Sequence, residues 1–213
     1  MRELQGLMNY LDIQGMKPEV IIVNDGSSQV DNLQHYCDKN QYKLIHHAVN
    51  LGKGASVRTG MLAASNDVCI FTDADIPFQY EIFPEILELF TNQEVSIVCG
   101  DRRNSDYFRQ TPLIRRMGSG VFSWLVNIIM LRNMGDTQCG IKAFRKTVHN
   151  KVFGKSVIQG FAADIEWLYR ANKSHIAIHW VKAEFRNAGE SSVVFWKQAV
   201  RMLIDLLNLR IRG

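Results

Sequence analysis

The chain has 213 residues, enough for one domain with a sizeable core. A composition of 46% hydrophobic and 22% charged residues excludes a disordered, collagen-like or disulfide-stapled chain. Its 25 lysines and arginines against 21 aspartates and glutamates leave a net charge of +4, and no nucleic-acid partner is expected from so small an excess unless it is concentrated in a binding stripe.

The charge is in fact uneven. Residues 102–116 hold Arg102, Arg103, Arg109, Arg115 and Arg116 against Asp106, a local +4, and residues 197–213 hold Lys197, Arg201, Arg210 and Arg212 against Asp205, a local +3. The remainder is therefore slightly acidic. Cys37, Cys69, Cys99 and Cys139 lie far apart without a Cys-x-x-Cys pair, so the expectation is free thiols in a reducing compartment, with no zinc site. No apolar run reaches the roughly 18 residues that span a bilayer, and the start lacks the apolar centre of a signal peptide. A cytoplasmic location follows as the expectation.

In chain order, short β-branched or apolar runs at Glu19–Val23, Lys43–His47, Val68–Thr72 and Val95–Gly100 alternate with helical stretches at Val30–Asn40, Ala55–Ala64 and Phe83–Thr91. That alternation predicts an α/β fold, a mainly parallel Rossmann-like sheet flanked by helices. Beyond Gly100 the pattern gives a basic loop, a helix from about Pro112 to Leu131, a strand Gly140–Phe144, a helix Ala162–Lys173, a strand His175–Phe185 and a final helix. No linker or repeat interrupts it. Ligands of such sheets bind outside the carboxyl ends of the strands.

Two polar clusters fall there. Asn24-Asp25-Gly26-Ser27-Ser28 follows the first strand; Asp25 suits a nucleobase or ribose, and the same residues would also suit a plain turn with a serine helix cap. Asp73-Ala74-Asp75 follows Val68–Thr72. An isolated Asp-x-Asp says little, but two carboxylates at the end of a buried strand need a counter-ion and offer hard oxygens to Mg²⁺ or Mn²⁺ on a nucleotide diphosphate. Between them, Asn50-Leu51-Gly52-Lys53-Gly54 opens a helix without Walker spacing; its amides and Lys53 would serve either an anion or simple helix entry.

These blocks, with Asp136-Thr-Gln-Cys-Gly-Ile-Lys-Ala-Phe-Arg145 and Phe161-Ala-Ala-Asp164-Ile-Glu166, resemble in order the family 2 glycosyltransferases of GT-A fold, specifically the dolichyl- or polyprenyl-phosphate sugar transferases. The resemblance implies an inverting hexosyltransferase that takes a UDP-glucose or GDP-mannose type donor. Asn24, Asp25, Gly26, Ser27, Lys53 and Asp73 would bind the nucleotide sugar. Asp73 and Asp75 would hold the metal, with Asp75 and Asp164 as catalytic carboxylates. Asp164 and Glu166 stand about 200° apart on a helix, so only one faces the sugar, and Glu166 is expected in a second layer or at the surface. The family's usual first strand, with its Pro-x-Tyr-Asn-Glu loop, has no counterpart before Met1, which predicts an unpaired strand edge.

A polyprenyl phosphate acceptor calls for a cationic grip, expected from Arg102, Arg115 and Arg116. A glycan or lipid hydroxyl acceptor would instead require a carboxylate base, and a non-catalytic nucleotide- or lipid-binding chain is the third alternative. Residues 1–192 are read as the glycosyltransferase domain and 193–213 as a C-terminal amphipathic helix. There Lys197, Arg201, Asp205, Asn208 and Arg212 form one polar stripe on an otherwise apolar helix, which suits peripheral attachment to the cytoplasmic face of a membrane or packing against the core.

Overall fold

A computed structural model describes residues 1–28, 30–103, 105, 126, 135–186 and 195–212, the side chains of 195–199 and 212 excepted. Helix α1 (Arg2–Ile13) leads to β1 (Ile21–Asp25), α2 (Val30–Asn40), β2 (Lys43–His47), α3 (Lys53–Ala63), β3 (Val68–Thr72), α4 (Ile82–Leu89) and β4 (Ile97–Asp101). After the basic segment come β5 (Ile141–Arg145), a 3₁₀ turn at Lys146–Val148, α5 (His149–Val152), α6 (Ala163–Lys173), β6 (Ile178–Lys182) and α7 (Phe195–Arg212). Of the helix expected over Pro112–Leu131 only Val126 is described, as a helical and buried residue; Arg115 and Arg116 lie outside the described residues.

The strands form two sheets. β1 and β2 pair in parallel, while the second sheet has the order β3-β5-β4-β6. β5 is antiparallel to both neighbours and β4 is parallel to β6, so β3, β4 and β6 share one direction. Side chains alternate across β5: Ile141 and Ala143 enter one core with Leu7, Leu11, Phe83 and Ile86, while Phe144 enters the other with Phe71, Phe153, Trp167 and Leu206. Lys142 therefore points into the same layer as Phe144.

Among the described residues β1 and β3 are both edge strands. They are tied near their starts, where Glu19 accepts hydrogen bonds from the Ser65 amide (2.8 Å) and hydroxyl (3.2 Å). Ile21, Ile22 and Val23 are only half-buried, whereas the apolar residues of the doubly paired β4 are fully buried.

α7 resolves the excess of apolar residues in its sequence. Met202, Leu206 and Leu209 are buried in the core, while Val200, Ile204, Leu207 and Ile211, spaced 4, 3 and 4 apart on the opposite face, are exposed between Arg201 and Arg210. Among the described residues no helix is long and apolar enough to cross a membrane. The four thiols are free and buried, and burial pushes those of Cys99 and Cys139 up to about 12, so they stay protonated.

Arg145 closes β5 against the end of α4 and the turn before β4. Its Nη2 donates to the Phe90 carbonyl (2.8 Å), its Nε to the Val95 carbonyl (3.2 Å), and it pairs with Asp67. The Arg145→Met variant strands two enclosed carbonyls and is expected to lose about 2–4 kcal/mol in urea denaturation. Asp67→Asn removes a largely exposed partner and is expected to cost less than about 1 kcal/mol. Equal losses would contradict this account of the strand end.

Candidate active site at the carboxyl ends of the strands

The Asn24–Ser27 turn is built by its own side chains. Asn24 is buried; its Oδ1 accepts from the Ser27 amide (3.0 Å) and its Nδ2 donates to the Ser27 carbonyl (3.2 Å). Gly26 has a φ of 77°, and a Cβ there would lie 2.6 Å from the Asn50 nitrogen, so the turn and the 49–52 loop meet backbone to backbone.

Asp25 joins them. Its Oδ1 accepts from the Leu51 amide (2.9 Å) and bonds His47 Nδ1 (2.8 Å), and its Oδ2 accepts from the Gly52 amide (2.8 Å). Burial pushes its pKa up, but the His47 bond and the two amides outweigh that and hold the carboxyl below the ordinary range. The sequence pointed to a base or ribose ligand; both oxygens are engaged in holding the loop that delivers Lys53.

That loop rests on the segment leading to α6. Ala55 N donates to the Gln159 carbonyl (3.1 Å), and a Cβ on Gly54 would fall 2.4 Å from the Ala163 Cβ. Lys53 is thus the first residue of α3 in a fixed frame, and its Nζ lies 2.7 Å from Asp73 Oδ1 and 3.9 Å from Asp164 Oδ2. Burial opposes its charge, but Asp164 and Asp73 more than compensate and raise its pKa.

Asp73 follows β3 directly. Its amide donates to the Gly140 carbonyl (3.2 Å), and a Cβ on Gly140 would sit 2.0 Å from Asp73 Oδ2, so residue 140 must be glycine for the carboxylate to lie there. Asp75 is exposed on the next turn, which Ile76 completes at φ 40°. That conformation is strained for a β-branched residue, at a cost of order 1–3 kcal/mol.

Behind this pair stands a residue that the sequence reading did not single out. Lys142 is 0% exposed; its Nζ donates to Asp164 Oδ1 (2.7 Å) and the Cys139 carbonyl (2.6 Å), and lies 5.5 Å from the Phe71 ring centre. A lysine amid Gly-Ile-Lys-Ala-Phe was the available signal, because such a charge in a doubly paired strand demands a buried carboxylate. Glu166 faces away from Asp164, as the helix angle required. It is fully buried rather than at the surface, taking hydrogen bonds from Ser156 Oγ (2.9 Å), Ile158 N (2.8 Å) and Arg170 Nε (2.8 Å).

Arg102 lies at the end of β4 and forks onto Asp136, Nε to Oδ2 at 2.5 Å and Nη2 to Oδ1 at 2.8 Å. Burial opposes both charges, yet the pair holds the Asp136 carboxyl low and the guanidinium firmly charged. Two of its nitrogens are thereby committed within the protein. In the adjoining turn, Gln138 Nε2 is buried without a partner among the described residues, as is Thr72 Oγ1 at the end of β3.

The donor set fits a hard divalent cation. Asp73 already faces a positive group, Lys53; Asp75 is open to solvent. Among the described residues no third acidic, histidine or cysteine side chain joins them, which leaves positions for diphosphate oxygens and water.

Two outcomes follow from the buried charges. Lys142→Met leaves Asp164 enclosed and unpaired, with an expected loss of about 3–5 kcal/mol in urea denaturation; Lys142→Met with Asp164→Asn is expected to recover more than half of it. Asp25 and Asp136 have folded-state pKa values below their unfolded ones. Their stabilisation is complete above about pH 4 and is lost as the pH falls through the folded values. Asp25→Asn is therefore expected to flatten the acid limb of a stability-versus-pH curve.

The sequence profile of Glycosyl transferase family 2 matches residues 5–156. The chain is 28% identical over 205 residues to a dolichyl-phosphate beta-glucosyltransferase of Dictyostelium discoideum, covering 91% of this chain and 63% of the relative. It is 29% identical over 215 residues to a human dolichyl-phosphate beta-glucosyltransferase, covering 91% and 64%. It thus spans less than two thirds of the length of these relatives. Mycobacterium tuberculosis glucosyl-3-phosphoglycerate synthase with Mn²⁺, uridine diphosphate and phosphoglyceric acid superposes with a TM-score of 0.66 at 16% identity, over 98% of this chain and 72% of that one. The same enzyme with Mg²⁺ and uridine diphosphate gives 0.63 at 15% identity, over 89% and 67%. The expected GT-A architecture is thereby shown, and the chain belongs to glycosyl transferase family 2.

Proposed function

We propose that this chain moves glucose from UDP-glucose to dolichyl phosphate, with inversion at the anomeric carbon. The names of the curated relatives, and the uridine diphosphate and divalent ions of the structural neighbours, support this choice over a GDP-mannose donor. The observation that carries the reading is Asp164, a buried carboxylate held between two ammonium groups at the carboxyl ends of the strands.

That setting argues against a general base. Lys142 takes Asp164 Oδ1 and Lys53 stands before Oδ2, so the carboxylate is fixed and charge-balanced. An acceptor hydroxyl would need its proton removed, whereas a phosphate monoester with a second pKa of about 6 arrives largely ionised. Asp164 Oδ2, the oxygen that Lys142 does not hold, would then face the positive character that develops at the anomeric carbon. Lys53 meets the departing diphosphate, and the Asn24–Ser27 turn lines the nucleoside side. A divalent ion held by Asp73 and Asp75 would supply Lewis acidity to the leaving group. The acceptor phosphate is assigned to Arg102, whose fork to Asp136 fixes its direction, together with Arg115 or Arg116, which lie outside the described residues.

Residues 1–192 carry the transfer and residues 193–213 hold the protein to the membrane that contains the acceptor. The outward Val200–Ile211 stripe between Arg201 and Arg210 supports that division, an apolar strip bordered by positive charge.

The direct test is product formation from UDP-glucose and dolichyl phosphate, with GDP-mannose and a glycan acceptor as comparisons. Asp73→Asn and Asp75→Asn are each expected to lower kcat by roughly 100-fold or more with the fold intact by circular dichroism. Full turnover in EDTA would contradict the metal assignment. In vesicle flotation, Ile204→Glu with Leu207→Glu is expected to abolish binding to phosphatidylserine-containing vesicles; unchanged flotation would remove α7 from the membrane account.

A further inference from the structure

Lys53 stands where the site calls for a cation. Its ammonium contacts Asp73 at 2.7 Å and faces Asp164 at 3.9 Å. Everything around it is braced. Asp25 takes the amides of Leu51 and Gly52 just before it, Gly52 and Gly54 abut the backbone of residues 159–160, and Lys142 holds Asp164 from behind. The group able to move is the lysine side chain, 25% exposed on a flexible four-carbon stem.

Asp73 Oδ1 cannot contact an ammonium and a divalent ion together without repulsion between the two cations at such short range. If Lys53 gives up Asp73, it keeps only the more distant Asp164, and Arg102 adds a further positive charge nearby. A nucleotide diphosphate removes that penalty, because its oxygens give the displaced ammonium a new partner. Any such linkage acts equally in both directions.

We propose that Lys53 is an internal counter-ion that couples divalent-cation binding to nucleotide-diphosphate binding. It neutralises Asp73 and Asp164 in the empty protein, opposes a cation that comes without nucleotide, and turns to the diphosphate when both are present. The coupling rests on the donor reading given above, whereas the opposition to a lone cation does not. The consequence is a site that resists idle loading with metal and closes its charge balance only around the complete donor.

The test is Mn²⁺ binding to the 213-residue protein, followed by electron paramagnetic resonance of the free ion, with and without UDP. Lys53→Met is expected to bind Mn²⁺ alone about tenfold more tightly than the parent, and UDP is expected to strengthen Mn²⁺ binding about tenfold less in this variant than in the parent. Lys53→Arg retains the cation and is expected to keep the parental pattern. The gain should vanish when Lys53→Met is combined with Asp73→Asn, which removes the contested carboxylate. Mn²⁺ affinity without UDP that is unchanged or weaker in Lys53→Met would overturn the proposal, as would a gain that persists without Asp73. If UDP altered Mn²⁺ affinity in neither protein, the donor reading would fall, and the Mn²⁺-only comparison would still decide whether Lys53 opposes the metal.

Discussion

An ammonium group enclosed at the centre of a sheet imposes a condition that the rest of this molecule satisfies. Lys142 is inside the layer between β5 and α6, and a charge there is tolerable only with a carboxylate at contact. Asp164 meets that need from the first turn of α6, which fixes where the helix begins relative to the strand. Glu166, two residues on, pins the 156–158 loop to the same turn, and Gly52 and Gly54 let the α3 loop lie directly on residues 159–160. One buried pair thus sets β5, α6 and the α3 loop relative to one another.

Charge balance then links the fold to its chemistry. Asp73, Asp164 and Asp136 converge on the carboxyl ends of β3 and β4, and Lys53, Lys142 and Arg102 answer them one by one. Of these cations only Lys142 is wholly enclosed and permanently committed. Lys53 is partly exposed, and it is the member that a diphosphate could recruit. The same arithmetic fixes Asp164, whose Oδ1 is taken by Lys142 and whose Oδ2 faces Lys53.

Much of the fold was legible because hydrophobic runs and their polar stops are local. Lys43–His47, Val68–Thr72 and Val30–Asn40 have the bounds that their patterns suggested. The first strand begins later than its apolar run implied, because Glu19 leaves the ladder to hold Ser65. α3 begins two residues earlier than expected, its glycine-bearing start being supported by residues 159–163. The grouping of these motifs was also legible, since Asp25, Lys53, Asp73 and Asp164 sit in contiguous motifs that the fold brings to the carboxyl ends of the strands. Their partnerships were not: Asp25 spends its oxygens on amides 26 and 27 residues away, Arg102 on Asp136, and Lys142 on Asp164. Pairings across such separations come from tertiary packing, which spacing alone does not encode. The apolar excess of α7 was visible in sequence, but its division into a docked face and an outward face needed the core to be in place.

The central claim is that a nucleotide-diphosphate donor and a divalent ion are bound at the carboxyl ends of these strands. Amide hydrogen exchange of the protein with Mn²⁺ and UDP, against the protein alone, tests it most directly. Added protection is expected at residues 24–28, 50–55, 73–76 and 136–140 together, with little change in α2 or α5. Protection confined to the opposite ends of the strands, or none at saturating UDP and Mn²⁺, would contradict it.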